Sequence, residues 1–205
     1  MKQLVFRFDV DTHKCVKQGI PNLIALSKRQ NVKFTFFVHF GRAVSQKNFL
    51  VAMIKKSKPT KKHAHLSALT KLGFKNYLVA AILNPQIGVV GQKEIRDAIH
   101  NGHEIGLHGG RNHETWNREA LHWTKGRVNE EISWGINEMK KISSTYKMLG
   151  FASPHWKGNN RIYSVLAEKG FTYVSDIHSN KLLQKIDTKN HYLTFQITFL
   201  VNRWG

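Results

Sequence analysis

Residues 2–38 read KQLVFRFDVDTHKCVKQGIPNLIALSKRQNVKFTFFV, and the order of patterns along them is strand, helix, strand. Lys2 to Val10 reads as a strand, and from Phe6 onward apolar residues alternate with polar ones, the period of an extended chain. Ile20 to Gln30 carries apolar residues at helical spacing, with Pro21 near the first turn, where a missing N–H removes no helix bond. Lys33 to Val38, KFTFFV, is a second strand rich in aromatic and β-branched residues. Strands joined through a helix pair in parallel, so the chain opens on a βα unit and an α/β fold is expected.

The same alternation continues downstream. Further helices are expected over Arg42–Ile54, Gly91–Asn101 (closed by Gly102), Asn160–Lys169 and a long amphipathic stretch from about Trp116 to Tyr146, with Gly126 and Gly135 as weak points. Further strands are expected over His103–Leu107, Leu149–Ser153, Phe171–Ser175 and Tyr192–Val201. No internal repeat is found. Repeated βα units predict a parallel sheet or barrel with its ligands beyond the carboxyl ends of the strands. Residues 1–205 are read as one domain with a basic insertion at about 55–90.

Composition narrows the function classes. With 41% hydrophobic and 22% charged residues the chain is an ordinary globular protein, which excludes wholesale disorder. The net charge of +19 implies attraction to something anionic: nucleic acid, an anionic membrane surface or a phosphorylated substrate. Cys15 is the single cysteine, so an intramolecular disulfide and a Cys-rich zinc module are excluded. The first residues read as a strand rather than a signal peptide. The apolar run Tyr77 to Leu83 is far short of the ~20 residues a spanning helix needs. Any membrane contact is therefore expected from the surface.

Four segments carry polar groups to strand ends. Period-two alternation puts Arg7, Asp9 and Asp11 on one face of the first strand, with the two carboxylates about 6–7 Å apart along the backbone. That suits a metal ligand beside a general base, and it equally suits two residues that end a strand and cap the next turn. EIGLHGGRNHE (104–114) runs a short strand into a Gly-Gly turn between His108 and His113. Two imidazoles and a carboxylate would make a three-ligand site with room for water, the arrangement of a hydrolytic divalent metal. GFASPHWKGNN (150–160) and FTYVSDIHS (171–179) bring Trp156 and Asp176 after strands, and alone they read as loops and packing.

Taken together, the order and spacing of FRFDVD, GHEIGLHGGRNHETW and YVSDIHS resemble the polysaccharide deacetylase family, the NodB homology domain of carbohydrate esterase family 4. The resemblance covers most of residues 3–180 and implies a distorted (β/α) barrel, here C-terminally incomplete. It implies that Asp9 is the catalytic base and that Asp11 and His108 bind a divalent metal, zinc or another transition metal. The family's H-x-x-x-H spacing would place the second histidine at Asn112, whereas this chain has His113 one residue later; either the site is weakened or, as the adjacent glycines favour, the loop absorbs the extra residue and His113 is the ligand. Arg111, Trp156 and Asp176 are the expected substrate contacts.

Two departures from the family pattern stand out. Ala152 lies in the region where many members carry an arginine that holds the catalytic aspartate, and no late-strand histidine in a matching context precedes Gly205. Within the family, the resemblance is strongest to the branch that deformylates 4-deoxy-4-formamido-L-arabinose on undecaprenyl phosphate, for aminoarabinose modification of lipid A. It implies metal-assisted amide hydrolysis at the cytoplasmic face of the bacterial inner membrane. The basic stretch from Lys55, followed by an apolar run to Leu83, suits peripheral adsorption to an anionic membrane surface. Alternatives are a catalytically impaired relative that only binds the lipid-linked sugar and a general polysaccharide deacetylase. No nucleic-acid partner is expected, because no binding motif accompanies the lysines.

Overall fold

The computed structural model describes residues 6–42 and 83–176, together with strands at 183–186 and 192–195. A seven-stranded sheet organises them: β1 (Phe6–Val10), β2 (Phe34–Val38), β3 (Glu104–His108), β4 (Gly150–Ala152), β5 (Tyr173–Val174), β6 (Leu183–Ile186) and β7 (Tyr192–Phe195). β1 to β5 pair in parallel in chain order, β7 joins β5 in parallel, and β6 lies antiparallel on the far side of β7. The helices are α1 (Ile20–Gln30), α2 (Ile87–Val90), α3 (Gln92–His100), α4 (His113–Glu119), α5 (Lys125–Ile142) and α6 (Asn160–Glu168).

Local chemistry sets these boundaries. α1 starts with Pro21 in its first turn and stops at Asn31, whose left-handed backbone (φ 49°, ψ 45°) ends the helix. Gly102, at φ 76°, turns the chain from α3 into β3. The side chains of Thr124 and Asn159 accept the backbone N–H groups of Arg127 and Ile162 and so cap α5 and α6.

The two faces of the sheet differ in chemistry. Outward residues Phe34, Phe36, Val38, Ile105, Leu107, Phe151 and Val174 join Ile20, Ile95, Ile132 and Leu166 of the helices in one apolar core. The opposite face bears Arg7, Asp9, Thr35, Glu104 and His108. There Arg7 of β1 reaches the Ser175 hydroxyl, just after β5, at 2.7 Å. Across a flat sheet those strands would lie about 19 Å apart, four spacings of ~4.8 Å and beyond one arginine side chain. The sheet is therefore curled into a barrel-like trough, and Phe37 of β2 meets Tyr173 of β5 across it (ring centroids 6.3 Å).

The α/β architecture expected from the sequence is present, with some boundaries redrawn. The amphipathic stretch from Trp116 to Tyr146 is two helices joined by a 3₁₀ turn at Ala120–His122. The break falls at the capping residue Thr124 and not at a glycine. Gly135 lies within α5 because a Cβ there would come within 2.6 Å of Leu107, so its absence lets the helix rest on β3. Ile87 is fully buried, so the last part of the expected 55–90 insertion packs in the core. The strand at Leu183–Ile186 was not expected. The expected helix beyond Arg42 and most of the basic stretch lie outside the described residues.

Candidate metal centre

Parallel strands end on one side of the sheet, so residues at their carboxyl ends converge even when far apart in sequence. Asp11 follows β1, His39 follows β2, His108 ends β3, and His113 opens α4. Nε2 of His108 lies 3.2 Å from Oδ1 of Asp11, and Nε2 of His113 lies 3.6 Å from the same oxygen. Among the described residues these three form a cluster whose candidate ligand atoms all fall within 4.8 Å of one another.

The backbone around His113 is held tightly. Arg42 and Asn112 form a parallel bridge, and the Arg42 N–H donates to the Arg111 carbonyl at 3.1 Å. Gly41 makes this approach possible, since a Cβ there would overlap that carbonyl oxygen. Gly109 takes a left-handed φ of 75°, which no β-carbon-bearing residue adopts cheaply. Glu131, buried on α5, accepts the Arg111 N–H at 2.7 Å and pairs with both the Arg111 and Arg127 guanidinium groups. Asn112 caps α4 by accepting the Thr115 N–H at 2.8 Å, which leaves His113 to face Asp11.

The donor set fits a divalent metal. Oδ1 of Asp11 is buried with no hydrogen-bond partner, between two imidazole nitrogens. Nδ1 of His108 donates to the Ala152 carbonyl at 2.8 Å, so the neutral ring presents the Nε2 lone pair toward Asp11. Burial alone would raise the Asp11 pKa, but the close contact with His108, together with His113 and His39, holds the carboxylate well below its usual range. His113 is pushed down to about 3 by burial, reinforced by its histidine neighbours against the pull of Asp11. Burial would lower His108 as well, yet the Asp11 contact raises it. The ring of His113 is thus kept neutral, the state in which imidazole binds metal.

Asp9 stands apart from this cluster. Both of its carboxylate oxygens accept from Nη2 of Arg7, at 2.8 and 2.7 Å. Trp156 lies over the Arg7 guanidinium at 4.4 Å and is 41% exposed. The turn bearing Trp156 is strained: His155 and Trp156 both have left-handed backbones, at φ 53° and 60°. This brings the His155 ring within 5.2 Å of the His113 ring. Asp176 is buried beneath the turn and accepts the N–H and hydroxyl of Ser153, both at 2.5 Å. Arg111 is engaged by Glu131 and lies 5.8 Å from the Trp134 ring.

Sequence reasoning missed Arg7 as the partner of Asp9, His39 as a neighbour of His113 (ring centroids 5.6 Å), and Glu131 as the anchor of the loop. The first two had a signal: Arg7 shares the face of Asp9 by alternation, and His39 directly follows the FFV strand. Glu131 had none, because a glutamate on a helix is most often solvated.

Comparison with known proteins bears on this geometry. The family model described as polysaccharide deacetylase matches residues 2–174. A protein of Wigglesworthia glossinidia brevipalpis, assigned as 4-deoxy-4-formamido-L-arabinose-phosphoundecaprenol deformylase ArnD, is 30% identical over 178 residues, covering 81% of this chain and 57% of that protein. A protein of Shewanella sediminis with the same assignment is 24% identical over 179 residues, covering 86% of this chain and 57% of that one. This chain therefore spans little more than half the length of these relatives. A solved structure from Mycobacterium smegmatis, assigned to the polysaccharide deacetylases, superposes with a TM-score of 0.61 at 18% identity, covering 98% of this chain and 64% of that one. At that identity the likeness is one of fold.

Proposed function

The chain belongs to the polysaccharide deacetylase family, and from that premise we propose that it carries the metal centre of a hydrolase that removes a formyl or acetyl group from the amide nitrogen of a sugar. The observation that carries this reading is the meeting of Asp11, His108 and His113 beside a carboxylate, Asp9, that is paired with Arg7 rather than with the histidines. These three side chains would hold a divalent ion, zinc or another transition metal. When bound, such an ion supplies Lewis acidity toward a carbonyl and acidifies water.

The chain's own residues do the rest. Asp11 stays ionised, and the Ala152 carbonyl fixes the tautomer of His108. Asp9 is the base that takes a proton from the attacking water, a role worth roughly 10²–10⁴-fold in rate. Arg7 keeps both oxygens of Asp9 oriented. Trp156 offers an exposed indole face beside the pair, a surface suited to a sugar ring. Arg111, with its side chain 43% exposed, is assigned to the substrate's edge, and Asp176 supports the turn that carries Trp156.

The substrate class we favour follows the relatives' assignments: a formamido sugar such as 4-deoxy-4-formamido-L-arabinose on undecaprenyl phosphate. A chain with a net charge of +19 is drawn to a lipid phosphate and to the anionic surface around it. No helix among the described residues is long and apolar enough to cross a membrane. Peripheral binding at the cytoplasmic face of the inner membrane, in lipid A modification, is the setting we assign.

Metal content and formate release from a formamido-sugar lipid test the reading in one preparation. Wild type is expected to bind one divalent ion, and Asp9→Asn to keep it while losing at least about 10²-fold in release. Loss of the ion in Asp9→Asn would make Asp9 a ligand and overturn the division of roles. Acetate release from chitin or peptidoglycan oligomers, with no formate from the lipid, would select a polymer deacetylase instead.

A further inference from the structure

Arg7 is a tightly constrained cation near the site. Its Nη2 meets both oxygens of Asp9, at 2.8 and 2.7 Å, and its Nη1 donates to the Ser175 hydroxyl at 2.7 Å and to the Ser175 carbonyl at 2.5 Å. The guanidinium lies 4.4 Å from the Trp156 ring and 5.1 Å from the Phe37 ring. Groups from β1, β2, the end of β5 and the strained 154–156 turn thus converge on one side chain, which is only 15% exposed. A cation used solely to neutralise a surface carboxylate would not need this cage. A planar fork fixed at one nitrogen has its other nitrogen aimed in one direction, and here that direction is Asp9.

Asp9 needs such restraint. It leaves β1 on the same face as Asp11, two residues away. A carboxylate on the same strand face as a ligand two residues away, with no competing cation, could swing into that ligand set and cease to be available as a base.

We propose that Arg7 is a positioning residue that holds the Asp9 carboxylate as a base and keeps it out of the ligand set of Asp11, His108 and His113. The proposal rests on the metal reading given above, and it makes Ser175, Trp156 and Phe37 the parts that aim Arg7.

Cobalt(II) titration followed by visible absorption tests it without hydrolysis. Asp9→Asn should bind cobalt with the affinity and spectrum of wild type. Arg7→Gln should bind about tenfold or more tightly, an effect of the size seen when outer-shell partners change. Its visible band should weaken, as expected when a further oxygen ligand joins. The double variant Arg7→Gln with Asp9→Asn should return to wild type, and Arg7→Lys, which keeps a cation beside Asp9, should stay close to it. An Arg7→Gln spectrum identical to wild type would overturn the proposal, as would a change that persists in the double variant.

Denaturant unfolding of the four metal-free proteins provides the arm that does not depend on metal. The pair should be non-additive by about two- to tenfold in the unfolding constant. Additive effects would show that Arg7 does not hold Asp9. If wild type bound no cobalt, the metal centre would fall and this cycle alone would decide the Arg7–Asp9 link. If Arg7→Gln did not fold, the comparison of Arg7→Lys with Arg7→Lys/Asp9→Asn would carry the same test.

Discussion

The side-chain oxygen of Asn112 lies 2.8 Å from the backbone nitrogen of Thr115, so the residue at the family's usual histidine spacing is spent on capping α4. Its neighbour His113 points Nε2 at Asp11. Asn112→Ala should therefore cost about 1 kcal/mol of stability while metal stoichiometry stays the same. His113→Ala should weaken zinc or cobalt binding by more than the roughly 10–100-fold typical of losing an outer-shell partner. Isothermal titration of both variants separates the two roles, and equal effects would contradict them.

Glu131 acts on the site at a distance, by holding the loop that delivers His113. Its carboxylate receives the Arg111 N–H and two guanidinium groups from a position that is 3% exposed. Glu131→Ala should cost about 1–3 kcal/mol from the unpaired N–H alone. Metal affinity should fall as well, because the turn from Gly109 to Asn112 loses its tether. Unchanged affinity at reduced stability would confine Glu131 to the fold.

The histidines predict how stability follows pH in the metal-free protein. The pKa of His113 falls from 6.5 in the unfolded chain to about 3 in the folded one. Between those values the unfolded state binds more protons, so stability is complete above pH 6.5 and is lost as the pH drops toward 3. The slope is at most about 1.4 kcal/mol per pH unit for one ring. His39, lowered chiefly by burial, adds in the same direction, and His108, raised by Asp11, opposes it. Urea midpoints with a chelator at pH 7 and pH 5 should differ less in His113→Gln than in wild type.

Membrane adsorption should depend on charge. The segment from Lys55 to Lys62 holds five lysines, each worth about 1 kcal/mol near an anionic surface. Co-sedimentation with vesicles containing phosphatidylglycerol should weaken as salt shortens the Debye length below ~10 Å, and should fall when these lysines become glutamine. Equal binding to neutral phosphatidylcholine vesicles would remove charge as the cause.

Much of the architecture was legible in the chain. Helix α1 spans Ile20–Gln30 as expected because a proline start and an apolar face at helical spacing are local signals. β2 was legible because a strand buried on both faces needs a near-continuous apolar run, which FTFFV supplies. The amphipathic stretch from Trp116 to Tyr146 is helical as expected, but its break at the capped 3₁₀ turn was not legible because the apolar periodicity runs on through it.

For the site itself, the sequence by itself determined which chemical groups were on offer. Alternation placed Asp9 and Asp11 on one side of a strand, and GHEIGLH brought a histidine to the end of another. Only the tertiary structure shows that His113 rather than Asn112 faces Asp11, since this depends on where α4 is capped and on the bridge between Arg42 and Asn112. It also decided what holds Asp9. The guanidinium sought near Ala152 comes instead from Arg7, whose other nitrogen is fixed by Ser175, 168 residues away. Period-two geometry extends only along one strand, whereas the curl that brings β1 to β5 comes from packing the whole sheet against its helices.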